Sequence, residues 1–166
     1  MRTILMVVAV TALVSCGPDP KPASSAPASK PEVPKPSDES RRFPKTNLVE
    51  TKVIDRELMG KSFMPGGTLA HYKKGKQEYD LFVARVADAN AAALLLPDWR
   101  KALTDAKLIP SFGGYFGTDA GRPVFVFSKG GVSHGSGGAG GWIAGVAGLS
   151  EKAADAEARV LAAHLE

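Results

Sequence analysis

Proline is distributed very unevenly along this chain, and the distribution limits which part of it can fold. Eight of the twelve prolines precede residue 46. Proline lacks a backbone donor and fixes φ, and the same segment holds few apolar side chains, so burial cannot offset the entropy of ordering it. We therefore predict a disordered, proline-rich tether over residues 16–45 and a single folded domain over residues 46–166.

Charge and cysteine content exclude several classes of function. The formal net charge of +4 is mildly basic, far from the dense basic surface that nucleic-acid binding requires. The single cysteine excludes an intramolecular disulfide and a cysteine-based zinc site, and the three histidines have no neighbouring ligand at metal-binding spacing. We expect no nucleic acid, no metal and no cofactor.

The first fifteen residues have the pattern of a cleaved leader. Met1 and Arg2 form a short positive start, an apolar run covers residues 4–14, and the small Ser15 follows. About a dozen apolar residues suit a signal peptide, whereas a helix that spans a bilayer needs roughly 20. Residues 1–15 are therefore predicted to be a signal peptide.

The tetrapeptide Leu13-Val14-Ser15-Cys16 resembles the lipobox of bacterial lipoproteins. The resemblance implies that Cys16 carries a diacylglyceryl thioether, becomes the first residue of the mature chain and often receives a further acyl group such as palmitate. Two or three acyl chains hold a protein at a membrane almost permanently. The alternative is an unmodified Cys16 in an ordinary signal peptide or an uncleaved anchor.

The lipobox resemblance also implies a location. The protein is expected to be lipid-anchored and extracytoplasmic, at the cell membrane or the outer membrane, and on the periplasmic side in a Gram-negative cell. Gly17, rather than aspartate, follows the cysteine, as in lipoproteins that are passed to the outer membrane.

Apolar periodicity beyond residue 46 predicts an α+β fold. Two strand-like runs flank a glycine-containing turn, and Asp88 can cap a helix that Pro97 kinks or splits. Three strands follow, and Ser150 caps a last helix. The predicted strands are residues 68–72, 79–86, 112–118, 123–128 and 142–147, and the first helix covers residues 89–106. The order β-β-α-β-β-β-α indicates a mostly antiparallel sheet of about five strands with two helices packed on it.

The segment Gly131-Val132-Ser133-His134-Gly135 fits the G-x-S-x-G elbow of α/β-hydrolases, with Asp155 and His164 in the required chain order. That elbow must lead into a helix, but here it leads into a run of glycines, which are poor helix formers. Asp155 and His164 also lie nine residues apart on one predicted helix and would point to opposite sides. We interpret residues 130–141 as a flexible glycine-rich loop.

The sequence as a whole favours a non-enzymatic protein of the cell envelope. Residues 113–148 resemble uncharacterised domains of other envelope lipoproteins, which implies nothing about activity. No catalytic set is assembled in the sequence, so we predict a binding or structural domain of a membrane-anchored lipoprotein. Its expected partners are the membrane, through the lipid on Cys16, and an envelope protein or wall polymer. The alternative function is a small serine hydrolase that uses Ser133.

Overall fold

The central feature of the fold is one antiparallel sheet of seven strands, seen in a computed structural model that describes residues 35–131 and 140–165. In space the strands lie in the order β1-β2-β3-β7-β6-β5-β4, so β1 and β4 form the two edges. The strands are β1 Leu48–Arg56, β2 Pro65–Lys74, β3 Gln77–Val86, β4 Thr104–Ile109, β5 Gly114–Asp119, β6 Arg122–Gly130 and β7 Gly141–Ala147.

Helices cover both faces of the sheet. The helix α2 (Leu96–Ala102) packs on one face, called here the α1–α2 face because α1 (Ala89–Leu94) directly precedes α2. The helix α3 (Glu151–Ala163) packs on the opposite face, called the α3 face. Each face has its own apolar core, because alternate residues of the interior strands point to opposite sides. In β6, residues 124–127 are all buried, which confirms the prediction that this strand is covered on both faces.

The core of the α1–α2 face is built around Trp99, whose side chain is fully buried. Its ring stacks on Phe82 with the ring centroids 5.7 Å apart, and meets Phe63 edge-to-face at 5.6 Å. The indole N–H points at the sulfur of Met64 at 3.1 Å. Trp99 therefore packs against the sheet, as its helical spacing with Leu103 predicts.

The core of the α3 face combines small residues of the helix with large residues of the sheet. Ala154, Ala158 and Leu161 are buried along one side of α3, and Leu165 beyond its end is buried too, which matches the predicted apolar face. Small residues let the helix approach the aromatic side chains of the sheet closely. Those aromatic residues are Tyr72, Tyr79, Phe125, Phe127 and Trp142.

The prediction of an α+β fold with a mostly antiparallel sheet is confirmed, but the strand count of about five and the order β-β-α-β-β-β-α are wrong. The two additional strands are the edges, β1 and β4. An edge strand has one unpaired side and is only partly covered, so its apolar alternation is weak. In β1, seven of nine residues are exposed, and four of the six in β4 are exposed.

The predicted helix over residues 89–106 is divided and shorter. Asp88 caps α1 as expected, because its carboxylate accepts a hydrogen bond from the Ala91 N–H at 2.8 Å. Pro97 lies in the first turn of α2, where the missing donor is tolerated, and the chain is divided at Leu95. After Ala102 the backbone turns extended and forms β4.

The folded part of the chain begins before residue 46. Residues 40–42 form a turn of 3-10 helix, and the Phe43 side chain is buried in the core of the α3 face. The Tyr72 hydroxyl donates to the Pro44 carbonyl at 2.8 Å, and the Glu39 N–H donates to Thr68 Oγ1 at 3.0 Å. The single large apolar side chain of this segment therefore anchors it, despite the surrounding prolines.

Several predictions concern residues outside the described ranges. They include the signal peptide, the lipobox with Cys16, the tether as far as residue 34, and Ser133 in the glycine-rich loop. Within residues 35–131 and 140–165, no helix has both the length and the apolarity needed to cross a membrane.

Candidate functional site

An apolar cleft of about 480 Å³ lies on the α3 face, between the start of α3 and the strands β4 and β5. It exists because α3 packs over β6 and β7, while the sheet continues beyond the helix to β5 and β4. The floor of the cleft consists of Ile109, Phe116 and Phe125. The α3 side is lined by polar residues, namely Ser150, Glu151, Lys152 and Asp155.

Two polar bridges connect α3 to β4 and to the loop between β4 and β5. Glu151 forms an ion pair with Lys107 of β4. Two turns along the helix, Arg159 donates two hydrogen bonds to Asp155, at 2.9 and 3.2 Å, and one to Ser111 Oγ at 3.2 Å. These bridges pair both acidic groups of the cleft with cations.

Lys152 supplies a positive charge at the end of the cleft where α3 begins. Lys152 forms no ion pair within the described part of the chain. Ser150 occupies the N-cap position of α3, but the predicted cap is wrong, because its side chain makes no capping hydrogen bond. The N–H groups of the first helical turn have no partner inside a helix, and they carry the positive end of the helix dipole. The cleft thus combines an aromatic floor with one cationic end.

Two stacked tyrosines lie under the other side of α3. The rings of Tyr72 and Tyr79 are 5.0 Å apart and nearly parallel. Burial raises the pKa of Tyr79 to about 12, and the nearby Glu157 carboxylate adds to the increase. Burial, with contributions from Tyr79 and Glu157, also raises the pKa of Tyr72 well above its usual range. Both phenols therefore stay neutral at physiological pH and act as packing groups.

A second polar cluster lies on the α1–α2 face. His71 of β2 is directly opposite Asp80 of β3, with His71 Nδ1 and Asp80 Oδ1 2.7 Å apart. Arg122 donates to the other oxygen of Asp80 at 2.6 Å and to the Ala147 carbonyl at 3.2 Å. The carboxylate therefore joins three strands. Because Asp80 is bound on both oxygens, we interpret the cluster as structural.

The pair of His71 and Asp80 was not predicted from the sequence, although the hairpin contains a signal for it. The loop between β2 and β3 is the two-residue turn Gly75-Lys76, and a turn of that length fixes which residues face each other. Counting back from it puts Lys73 opposite Glu78, and two residues further His71 opposite Asp80. Among the described residues there is no group of three or more His, Cys, Asp or Glu side chains that could hold a metal.

The suggested partners of Ser133 are not brought together by the structure. Asp155 is bound by Arg159, and His164 Nδ1 contacts the Val160 carbonyl at 2.8 Å. Asp155 lies on α3, and His164 is the residue that follows its end. Comparison of the chain with protein-family models, curated proteins and solved structures gives no match.

Proposed function

We propose that this protein is an extracytoplasmic lipoprotein, anchored through Cys16, whose folded domain binds a ligand in the cleft on the α3 face. The lipobox-like Leu13-Val14-Ser15-Cys16 and the proline-rich segment after it support the anchor. The cleft supports binding rather than catalysis, because its two acidic groups are held in ion pairs. The observation that carries the proposal is the aromatic floor with one cationic end.

The lining of the cleft indicates the chemistry of the ligand. Phe116 and Phe125 offer apolar surface, and pockets of a few hundred Å³ with such linings hold small ligands or a protruding group of a larger partner. Lys152 and the first turn of α3 favour an anionic group at one end. The ligand class is therefore an amphipathic molecule with an aromatic or aliphatic body and one acidic group, carried on a lipid, an envelope protein or a wall polymer.

The fluorescent dye 8-anilinonaphthalene-1-sulfonate has this chemistry and is a suitable probe. We expect the folded chain to bind it saturably at one site, with a rise in fluorescence. Replacing Lys152 by glutamate removes the cation and adds an anion, so affinity for the sulfonate should fall several-fold. Phe116→Ala should weaken binding as well, because it removes apolar contact.

The matched control is Arg41→Glu. Arg41 lies in the 3-10 turn over residues 40–42, which packs beside β2 rather than beside β4 and β5, and its side chain is exposed. This variant changes the net charge by the same amount as Lys152→Glu but should leave dye affinity unchanged. Absence of saturable binding, or equal loss in Lys152→Glu and Arg41→Glu, would overturn the assignment of the cleft.

A further inference from the structure

The outer side of β1 is an unpaired sheet edge with a regular backbone. From Glu50 to Arg56 the strand pairs with β2 without interruption, and within the described residues no strand lies on its other side. Val49 and Val53 are two of the few large apolar side chains that are exposed, at 58 % and 38 %. An edge of this kind presents free N–H and C=O groups that can pair with another strand.

The opposite edge of the sheet is less suitable for pairing. In β4 the register shifts between Thr104 and Lys107, and Asp105 has a φ of +52°. A bulge of this kind bends the strand and interrupts its hydrogen-bonding groups, which is a common protection against edge pairing. The straight stretch of β1 has no such interruption between residues 50 and 56.

The sequence of β1 is complementary to itself when two copies run antiparallel around Val53. In that register Glu50 faces Arg56 of the second copy, Thr51 faces Asp55, and Val53 faces Val53. The opposite charges pair twice, once at each end, and the two copies of Val53 meet at the centre. Facing residues also point to the same side of the joined sheet, because their numbers differ by an even amount.

Neighbouring registers are less favourable. Along an edge strand, every second residue directs its N–H and C=O groups outward. In two antiparallel copies these groups face each other only when the register is centred on a residue rather than between two residues. Centring on Lys52 would place two lysines opposite each other, and centring on Ile54 would place Lys52 opposite Arg56. Centring on Thr51 would place Glu50 opposite Lys52 twice and Val49 opposite Val53. That register, however, brings the bulge between Leu48 and Glu50 into the interface, and Leu48 and Ile54, which would face each other, lie on different faces of the sheet.

We propose that β1 pairs with β1 of a second copy of this chain, antiparallel and centred on Val53, so that two seven-stranded sheets become one. The interface is a sheet edge with opposed charges at both ends, and the partner is the protein itself. No ion pair within the described residues competes for Glu50 or Arg56.

Charge reversal tests both the association and its register. We would measure sedimentation equilibrium of the chain carrying Cys16→Ser, so that no acyl group drives association. Glu50→Arg or Arg56→Glu alone places like charges opposite each other at both ends and should weaken the dimer about tenfold. The double variant restores both opposite-charge pairs and should recover the original affinity.

The control for these variants is Glu78→Arg, at the exposed start of β3 and away from the edge, which should leave association unchanged. Circular dichroism would verify that each variant is folded. A chain that stays monomeric up to millimolar concentration, or single variants without effect, would overturn the proposal. Failure of the double variant to recover affinity would overturn it as well.

A disulfide offers a second measurement that does not depend on charge. In the same cysteine-free background, Val53→Cys places two thiols directly opposite each other across the proposed interface. We expect it to form a covalent dimer under mild oxidation. Leu94→Cys, on an exposed position of α1, is the control and should remain monomeric. Equal cross-linking of the two variants would contradict the β1 interface.

Discussion

The packing of Trp99 predicts that the α1–α2 face is a true core, and truncation of this side chain tests it. Trp99→Ala removes a fully buried indole that contacts two aromatic rings, at 5.6 and 5.7 Å, and the sulfur of Met64. Truncation of a buried tryptophan to alanine costs about 3–5 kcal/mol. Domains of this size have roughly 5–15 kcal/mol of stability in total, so the variant should lose a large share of it.

The assay is urea unfolding followed by far-ultraviolet circular dichroism, because the substitution removes a fluorophore. A loss of about 4 kcal/mol with a slope of 1–3 kcal/mol per M would lower the midpoint by at least ~1 M. Trp99→Phe keeps one ring and should lose less. Leu94→Ala, at a site that is 73 % exposed, is the control and should stay within about 0.5 kcal/mol. A loss of stability below about 1 kcal/mol for Trp99→Ala would contradict the presence of an apolar core on the α1–α2 face.

Three further predictions follow from single contacts. Because burial raises the pKa of Tyr79 to about 12, against about 10 in the unfolded chain, stability is fully present below pH ~10 and is lost as pH rises towards 12. Tyr79→Phe should reduce that loss in urea titrations at pH 9 and 11, and an identical loss would contradict the assignment. Asp88→Ala should cost about 1 kcal/mol in the same assay, since it removes the α1 cap; an unchanged midpoint would count against the cap. Gly145→Ala should cost about 1–3 kcal/mol, because a Cβ there would overlap with the Phe82 ring and the neighbouring backbone; a neutral result would show that the sheet adjusts.

The interior of the fold could be predicted from the sequence because its signals are local. In β6, four consecutive apolar residues indicate burial on both faces, and the structure buries all four. The turn between β5 and β6 contains Gly121 with a φ of +81°, as a short glycine turn requires. The apolar spacing of α3 likewise matches its buried side.

The edge strands β1 and β4 could not be predicted, because burial does not produce a regular apolar alternation in their sequences. Leu103 and Ala106 continue the helical spacing from Trp99, and both do pack on the α1–α2 face. Leu103, however, is the residue that ends α2, and Ala106 lies in β4. Both still reach the same face, because an extended chain can return to the face on which the helix before it packs. In β1 the alternation is mostly polar, so the strand is defined by its pairing with β2 rather than by burial.

The cleft could not be predicted from sequence, because it depends on how far α3 extends across the sheet. Phe116 and Ile109 read as ordinary core residues, and nothing local shows that the helix leaves them partly uncovered. The bridge from Arg159 to Ser111 joins residues 48 positions apart. Such contacts follow from tertiary packing alone.

The proposed anchor at Cys16 decides where this protein acts. Mass spectrometry of the amino-terminal peptide, from protein extracted out of its native envelope with detergent, measures it in one step. We expect a chain that begins at Cys16 and carries a diacylglyceryl thioether, and we expect the Cys16→Ser variant to lack the modification. A mature chain that begins at another residue, or an unmodified Cys16, would contradict the proposed anchor.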